Sequence, residues 1–62
     1  MSSMKILADG KSPTTGNRYR LQSRGSRFDV IRQDAFTWRY VIGGKAIVTE
    51  IAARNLFEAM IL

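Results

Sequence analysis

The apolar side chains of this chain change their spacing once, near Thr49, and that change constrains the fold more than any other feature. Before it, apolar residues alternate with polar ones, as in the segment RYRLQ at 18–22. Successive strand side chains point to opposite faces, so this period of two predicts strands with one apolar face. After Thr49 the apolar residues recur at the 3.6-residue spacing of a helix. The pattern therefore predicts a sheet followed by one helix.

Turn-forming residues divide the first part of the chain into short segments. The expected strands cover residues 18–23, 27–33 and 36–42. A first strand or ordered arm at 4–8 and a short strand at 45–48 are also compatible with the sequence, and Gly43-Gly44 is a hairpin signal. The segment 10–17 contains turn formers and no aliphatic or aromatic residue, so we expect a flexible loop there.

The predicted helix covers residues 50–61. Thr49 is placed to cap its first turn, where the helix dipole also favours the acidic Glu50. Glu50 and Arg54 form an i,i+4 pair in the favourable order. One arc of the helix is apolar and is expected to cover the sheet; its members are Ala52, Ala53, Leu56, Phe57, Ala59 and Met60.

These elements predict a single α+β domain over residues 1–62. A three- to four-stranded antiparallel sheet would be covered on one face by a single C-terminal helix, in the order β-β-β-(β)-α. The expected sheet contribution to the core is Tyr19, Leu21, Phe28, Val30, Trp38, Tyr40 and Ile42.

The composition limits both stability and chemistry. The chain has 62 residues with no cysteine and no histidine, so disulfides and the usual zinc sites are excluded. The common catalytic arrangements that need His or Cys are excluded too, and we expect no enzyme, no cofactor and no metal. Because the core of so short a chain is thin, a homodimer is expected. Its contacts would use residues at positions that look exposed, namely Ile31, Val41, Ile51 and Leu62.

The net charge of +5 and a pI near 10.5 favour anionic partners. Nucleic acid, a membrane surface and an acidic protein are the candidates. The sequence has no apolar run of membrane-spanning length and no secretory signal, so we expect no membrane association and a cytoplasmic location.

The sheet face that the helix leaves uncovered is the candidate binding surface. Arginine can bind phosphates or the edge of guanine, and glutamine can pair with adenine. The predicted nucleic-acid-binding residues are Arg18, Arg20, Gln22, Arg24, Arg27, Gln33, Arg39 and Lys45. With this set the protein is expected to bind duplex DNA as a small accessory or regulatory protein.

The order of strands and helix resembles the small sheet-reading DNA-binding domains, the AP2 type and its relatives at the N-termini of phage integrases. The resemblance covers residues 18–39 and 49–61 and concerns element order and polarity. It implies a sheet that reads duplex DNA without the catalytic part of an integrase.

The uncovered sheet face also has other interpretations. An antiparallel sheet needs polar residues on a solvated face in any case. An apolar centre ringed by arginine would also suit a protein-protein interaction module. Such a module could be a small phage- or plasmid-type inhibitor of an acidic host protein, or a homodimeric structural module. Single-stranded nucleic acid is disfavoured here, because the aromatic residues that would stack on bases are expected in the core.

Overall fold

A meander of four antiparallel strands precedes a single C-terminal helix in the computed structural model, which describes residues 3–62. The strands lie in the sheet in chain order, each paired with its neighbours along the sequence. The elements are β1 (Met4–Lys11), β2 (Arg18–Arg24), β3 (Arg27–Asp34), β4 (Thr37–Tyr40) and α1 (Glu50–Ile61). This confirms the predicted α+β fold with a helix on one face of the sheet.

The first strand is longer than the sequence indicates. Gly10 and Lys11, expected in a loop, pair with Tyr19 and Arg18 at the end of β1. Gly10 lies close to the helix, since a Cβ there would be 3.0 Å from the Cδ1 atom of Ile61 and that side chain would have to shift. The connection to β2 is thus shortened to residues 12–17.

The helix packs against the two central strands, β2 and β3. The fully buried centre consists of Leu21, Val30 and Ala53. Partly buried residues surround it; they are Leu7, Ala8, Phe28, Val41, Ile47, Leu56, Phe57 and Met60. The small buried centre agrees with the thin core expected of a chain of this length.

The start of the helix is stabilised as the sequence predicts. The side-chain oxygen of Thr49 accepts a hydrogen bond of 3.2 Å from the N–H of Ala52. Glu50 and Arg54 form an ion pair at 2.7 Å. Both the cap and the i,i+4 pair are confirmed.

The register of β4 differs from the prediction. A two-residue turn joins β3 to β4, so Asp34 pairs with Thr37, and Gln33 with Trp38. Across such a turn an odd-numbered residue pairs with an even-numbered one, and paired residues share a face. Trp38 and Tyr40 therefore lie on the face opposite the helix, and the predicted placement of both rings in the core is wrong.

The chain does not reverse at Gly43-Gly44 as the glycine pair suggested. Gly43 has a φ of 75°, and the segment bulges away before returning to the same strand. The carbonyl of Gly44 accepts a hydrogen bond of 2.8 Å from Val30, and Ile47 exchanges two backbone hydrogen bonds with Phe28. Residues 41–48 thus continue β4 irregularly along β3, and Ile42, expected in the core, is 99% exposed.

Two of the four residues expected to support a dimer are not available for it. Ile31 is only 7% exposed, and Val41 packs against the core. Ile51 and Leu62 do lie at the surface, with exposures of 76% and 85%. The homodimer stays a prediction, and its contacts would involve Ile51 and Leu62 at the two ends of the helix.

Substitution of Leu21 and of Trp38 by alanine tests the register. Leu21→Ala should cost about 2–5 kcal/mol, because it empties a fully buried site in a domain with only about 5 kcal/mol to lose. Trp38→Ala should cost about 1–2 kcal/mol, since the ring is partly exposed outside the core. Thermal unfolding followed by circular dichroism measures both; a Trp38→Ala variant as unfolded as Leu21→Ala would contradict the register.

Candidate nucleic-acid interface

The face of the sheet opposite α1, here called the open face, carries side chains in rows that cross the strands. In one row Asp9, Arg20, Ile31 and Tyr40 are successive cross-strand partners. Towards one end of the sheet, Lys11 pairs with Arg18 and Gln33 pairs with Trp38. Towards the other end, the open face carries Met4, Ile6, Gln22, Arg24, Arg27 and Asp29. Cations and aromatic rings therefore share one surface.

Arg20 contacts both Asp9 and Trp38 at the centre of the open face. Its Nε and Nη2 atoms donate hydrogen bonds of 3.1 and 2.9 Å to one oxygen of Asp9. The same guanidinium lies 4.3 Å from the centre of the Trp38 ring, a cation–π contact. The neighbouring Ile31 is almost completely buried although no helix covers this face. The open face thus has a small ordered cluster of its own.

A second network surrounds Asp29, which is fully buried. Its Oδ2 atom accepts hydrogen bonds of 3.0 Å from both Gln22 and Arg24. Its Oδ1 atom accepts one of 2.8 Å from the N–H of Ala46, which has a φ of 55°, and a weaker one of 3.3 Å from Arg24. This carboxylate therefore fastens the irregular segment 41–48 to the sheet.

The network shifts the ionisation of its own members. Burial alone would raise the pKa of Asp29, but hydrogen bonds from Arg24, the Ala46 N–H and Gln22 outweigh it and lower the pKa from 3.8 to about 2. The hydrogen bond to Asp29 raises the pKa of Arg24. Asp29 is therefore ionised at neutral pH and occupies both partner side chains.

Other cations of the open face are free to bind an external anion. Among residues 3–62, Lys11, Arg27 and Lys45 have no carboxylate within ion-pair distance. Arg18 reaches Asp9 only at 3.5 Å, and its side chain is 56% exposed. The ammonium group of Lys45 lies 5.4 Å from the centre of the Tyr40 ring.

A shallow depression of about 800 Å³ lies at the end of the sheet beside Gln33, the strand partner of Trp38. Lys11, Arg18 and Gln33 line it together with Asp9, Gly10, Gly16 and Ala35. Two cations and an amide therefore converge where the β1–β2 loop and the β3–β4 turn approach each other.

The structure divides the predicted binding residues into three groups. Arg18, Arg27, Gln33 and Lys45 lie on the open face with exposed or weakly paired side chains. Gln22, Arg20 and Arg24 lie there too, but they are hydrogen-bonded to carboxylates. Arg39, expected on this face, is paired with Arg32 on the helix side of the sheet and forms a 3.0 Å ion pair with Asp34.

Among the cations and aromatic rings of the open face, three were missing from the prediction, namely Lys11, Trp38 and Tyr40. Lys11 was assigned to a loop. The length of the β3–β4 turn could have predicted the face of both rings, because a two-residue turn after Asp34 places Trp38 beside Gln33.

No protein-family profile matches this sequence, and no curated protein or solved structure is significantly similar to it. These comparisons give no support to the resemblance to sheet-reading DNA-binding domains. Within residues 3–62, the helix is too short and too polar to cross a membrane.

The Asp29 network predicts a specific loss of stability in acid. The folded-state pKa of Asp29 lies below its ordinary value, so its contribution is present above about pH 4 and is lost as pH falls towards 2. After allowance for solvent screening this contribution is about 1–2 kcal/mol. Thermal melts of the wild type and Asp29→Asn between pH 7 and pH 2 measure it.

Asp29→Asn should be less stable than the wild type at pH 7, and the difference should shrink as the pH approaches 2. If the gap between the two proteins stayed constant across that range, the carboxylate would not be the titrating group.

Proposed function

We propose that this protein binds nucleic acid through its open face, as a small accessory or regulatory protein. The observation that carries the proposal is that one face of the sheet bears four cations with no carboxylate partner or only a weak one, together with two aromatic rings. Lys11, Arg18, Arg27 and Lys45 supply the charge, and Trp38 and Tyr40 supply the rings.

The distribution of charge supports this surface over the others. The open face carries cations from β1, β2, β3 and the 41–48 segment, and its acids are Asp9 and Asp29. Both acids are already paired with arginine. On the helix, the single basic residue Arg54 is paired with Glu50. A phosphate backbone would therefore meet positive potential chiefly on the open face.

Duplex DNA, the ligand expected from the sequence, is one form that this surface could bind. Base reading would depend on Arg18 and Gln33, because Gln22 and Arg24 are committed to the buried Asp29 carboxylate. Phosphate contacts alone would give binding with little sequence preference.

An acidic protein is the second candidate partner. Arg20, Trp38 and Tyr40 lie together on the open face, and residues of these types often dominate the energetics of protein interfaces. In that case the open face would serve as an interaction module of the inhibitor type.

Salt dependence tests the nucleic-acid proposal. If Lys11, Arg18, Arg27 and Lys45 neutralise phosphates, log K for a mixed-sequence duplex should fall with log salt at a slope of about −3 to −4. Arg18→Ala combined with Arg27→Ala should weaken binding and flatten that slope by about two units. Fluorescence anisotropy with labelled DNA between low and moderate salt provides the measurement.

The matched control combines Arg32→Ala with Arg54→Ala, which removes the same charge from the helix side of the molecule. It should change the slope much less. Equal effects of the two double variants would show that net charge, and not the open face, governs binding. Recovery of a single acidic protein by the wild type, lost with Arg18→Ala and Arg27→Ala and unaffected by DNA, would favour the interaction module.

A further inference from the structure

The geometry points to single-stranded nucleic acid as the preferred ligand of the open face, with bases stacked on Trp38 and Tyr40. This inference rests on the proposed function and narrows it. The expectation that the rings lie in the core argued against single strands, and the observed register of β4 removes that argument.

The two rings occupy successive positions on one face of an edge strand. Residues two apart on a strand are separated by about 6.6 Å and point the same way. Tyr40 is 46% exposed, and the open face has no covering helix. An extended strand of nucleic acid lying along β4 could therefore place neighbouring bases on neighbouring rings.

A cation lies over each ring, so a base would stack on the opposite face of the ring or displace the cation. The Arg20 guanidinium lies 4.3 Å from the Trp38 ring centre, and the Lys45 ammonium lies 5.4 Å from that of Tyr40. A base stacked on Tyr40 would bring its phosphate close to Lys45, and the guanidinium plane of Arg20 can itself stack on a base. The surface thus repeats one ring-and-cation unit along β4.

Polar and basic side chains continue from Trp38 across the sheet. Gln33 is the cross-strand partner of Trp38, and it lines the depression together with Arg18 and Lys11. An amide next to a stacked base can bond its Watson–Crick edge, which is accessible only when the base is unpaired. Duplex bases are stacked on one another and present only their groove edges, so the rings would have no partner in a duplex.

Trp38 is the only tryptophan in the chain, so its fluorescence reports directly on stacking. The test titrates the wild type with an oligothymidylate of about 15 nucleotides and, separately, with a blunt duplex of matched phosphate number. We expect quenching of Trp38 and tighter binding with the single strand, with little quenching by the duplex.

Two variants locate the stacking. Trp38→Leu and Tyr40→Leu should each remove one stacked base and so weaken single-strand binding by at least about fivefold. Duplex binding should change little. Fluorescence anisotropy measures both affinities. Phe36→Leu is the matched control, because it removes a fully exposed aromatic ring from the β3–β4 turn, outside the rows. Circular dichroism confirms that all three variants are folded before titration.

The outcomes separate the two proposals. Duplex binding that equals or exceeds single-strand binding, or single-strand binding insensitive to both ring substitutions, would overturn this inference and leave the proposed function standing. Failure of both ligands to bind at low salt would overturn the proposed function and the inference together.

Discussion

The buried carboxylate of Asp29 on β3 links β2 to the irregular segment 41–48. It accepts hydrogen bonds from β2, through Gln22 and Arg24, and from the backbone of Ala46 beyond β4. The segment that it fastens leads directly into the helix, so the position of α1 over the sheet depends on it. A buried charge is costly unless all of its oxygens are partnered, and here both oxygens are. The network therefore adds to the backbone hydrogen bonds that hold this irregular segment against β3.

The same network decides which cations can serve a ligand. The charge of Arg24 is balanced by the buried Asp29 carboxylate, so this arginine supports the structure despite its place on the basic face. Arg20 is similarly engaged by Asp9 and the Trp38 ring. The proposed binding surface consequently relies on fewer arginines than the composition implies, and Lys11, Arg18 and Gln33 converge at one end of it.

Most of the fold could be predicted from local patterns. Alternating polarity identified β2 and β3, and the Thr49 cap with its helical spacing identified α1. The face of β4 could not be read from polarity, because Trp38 and Tyr40 look like core residues while Arg39 looks exposed. The two-residue turn overrides that pattern by fixing the register, since a shift of one residue would exchange the two faces. The hydrogen bond from Ala46 to Asp29 joins residues 17 positions apart, and no short sequence motif predicts it.

The bulge in β1, where the register shifts between Ile6 and Ala8, affects whether another strand can pair with this border of the sheet. β1 forms one border of the sheet, and a border strand with evenly spaced free amides and carbonyls invites another strand to add to it. An extra residue at Leu7 breaks that even spacing and increases the local twist. The lysines at positions 5 and 11 add charge to the same strand. The irregularity therefore protects this small sheet from fibre-like growth through its border.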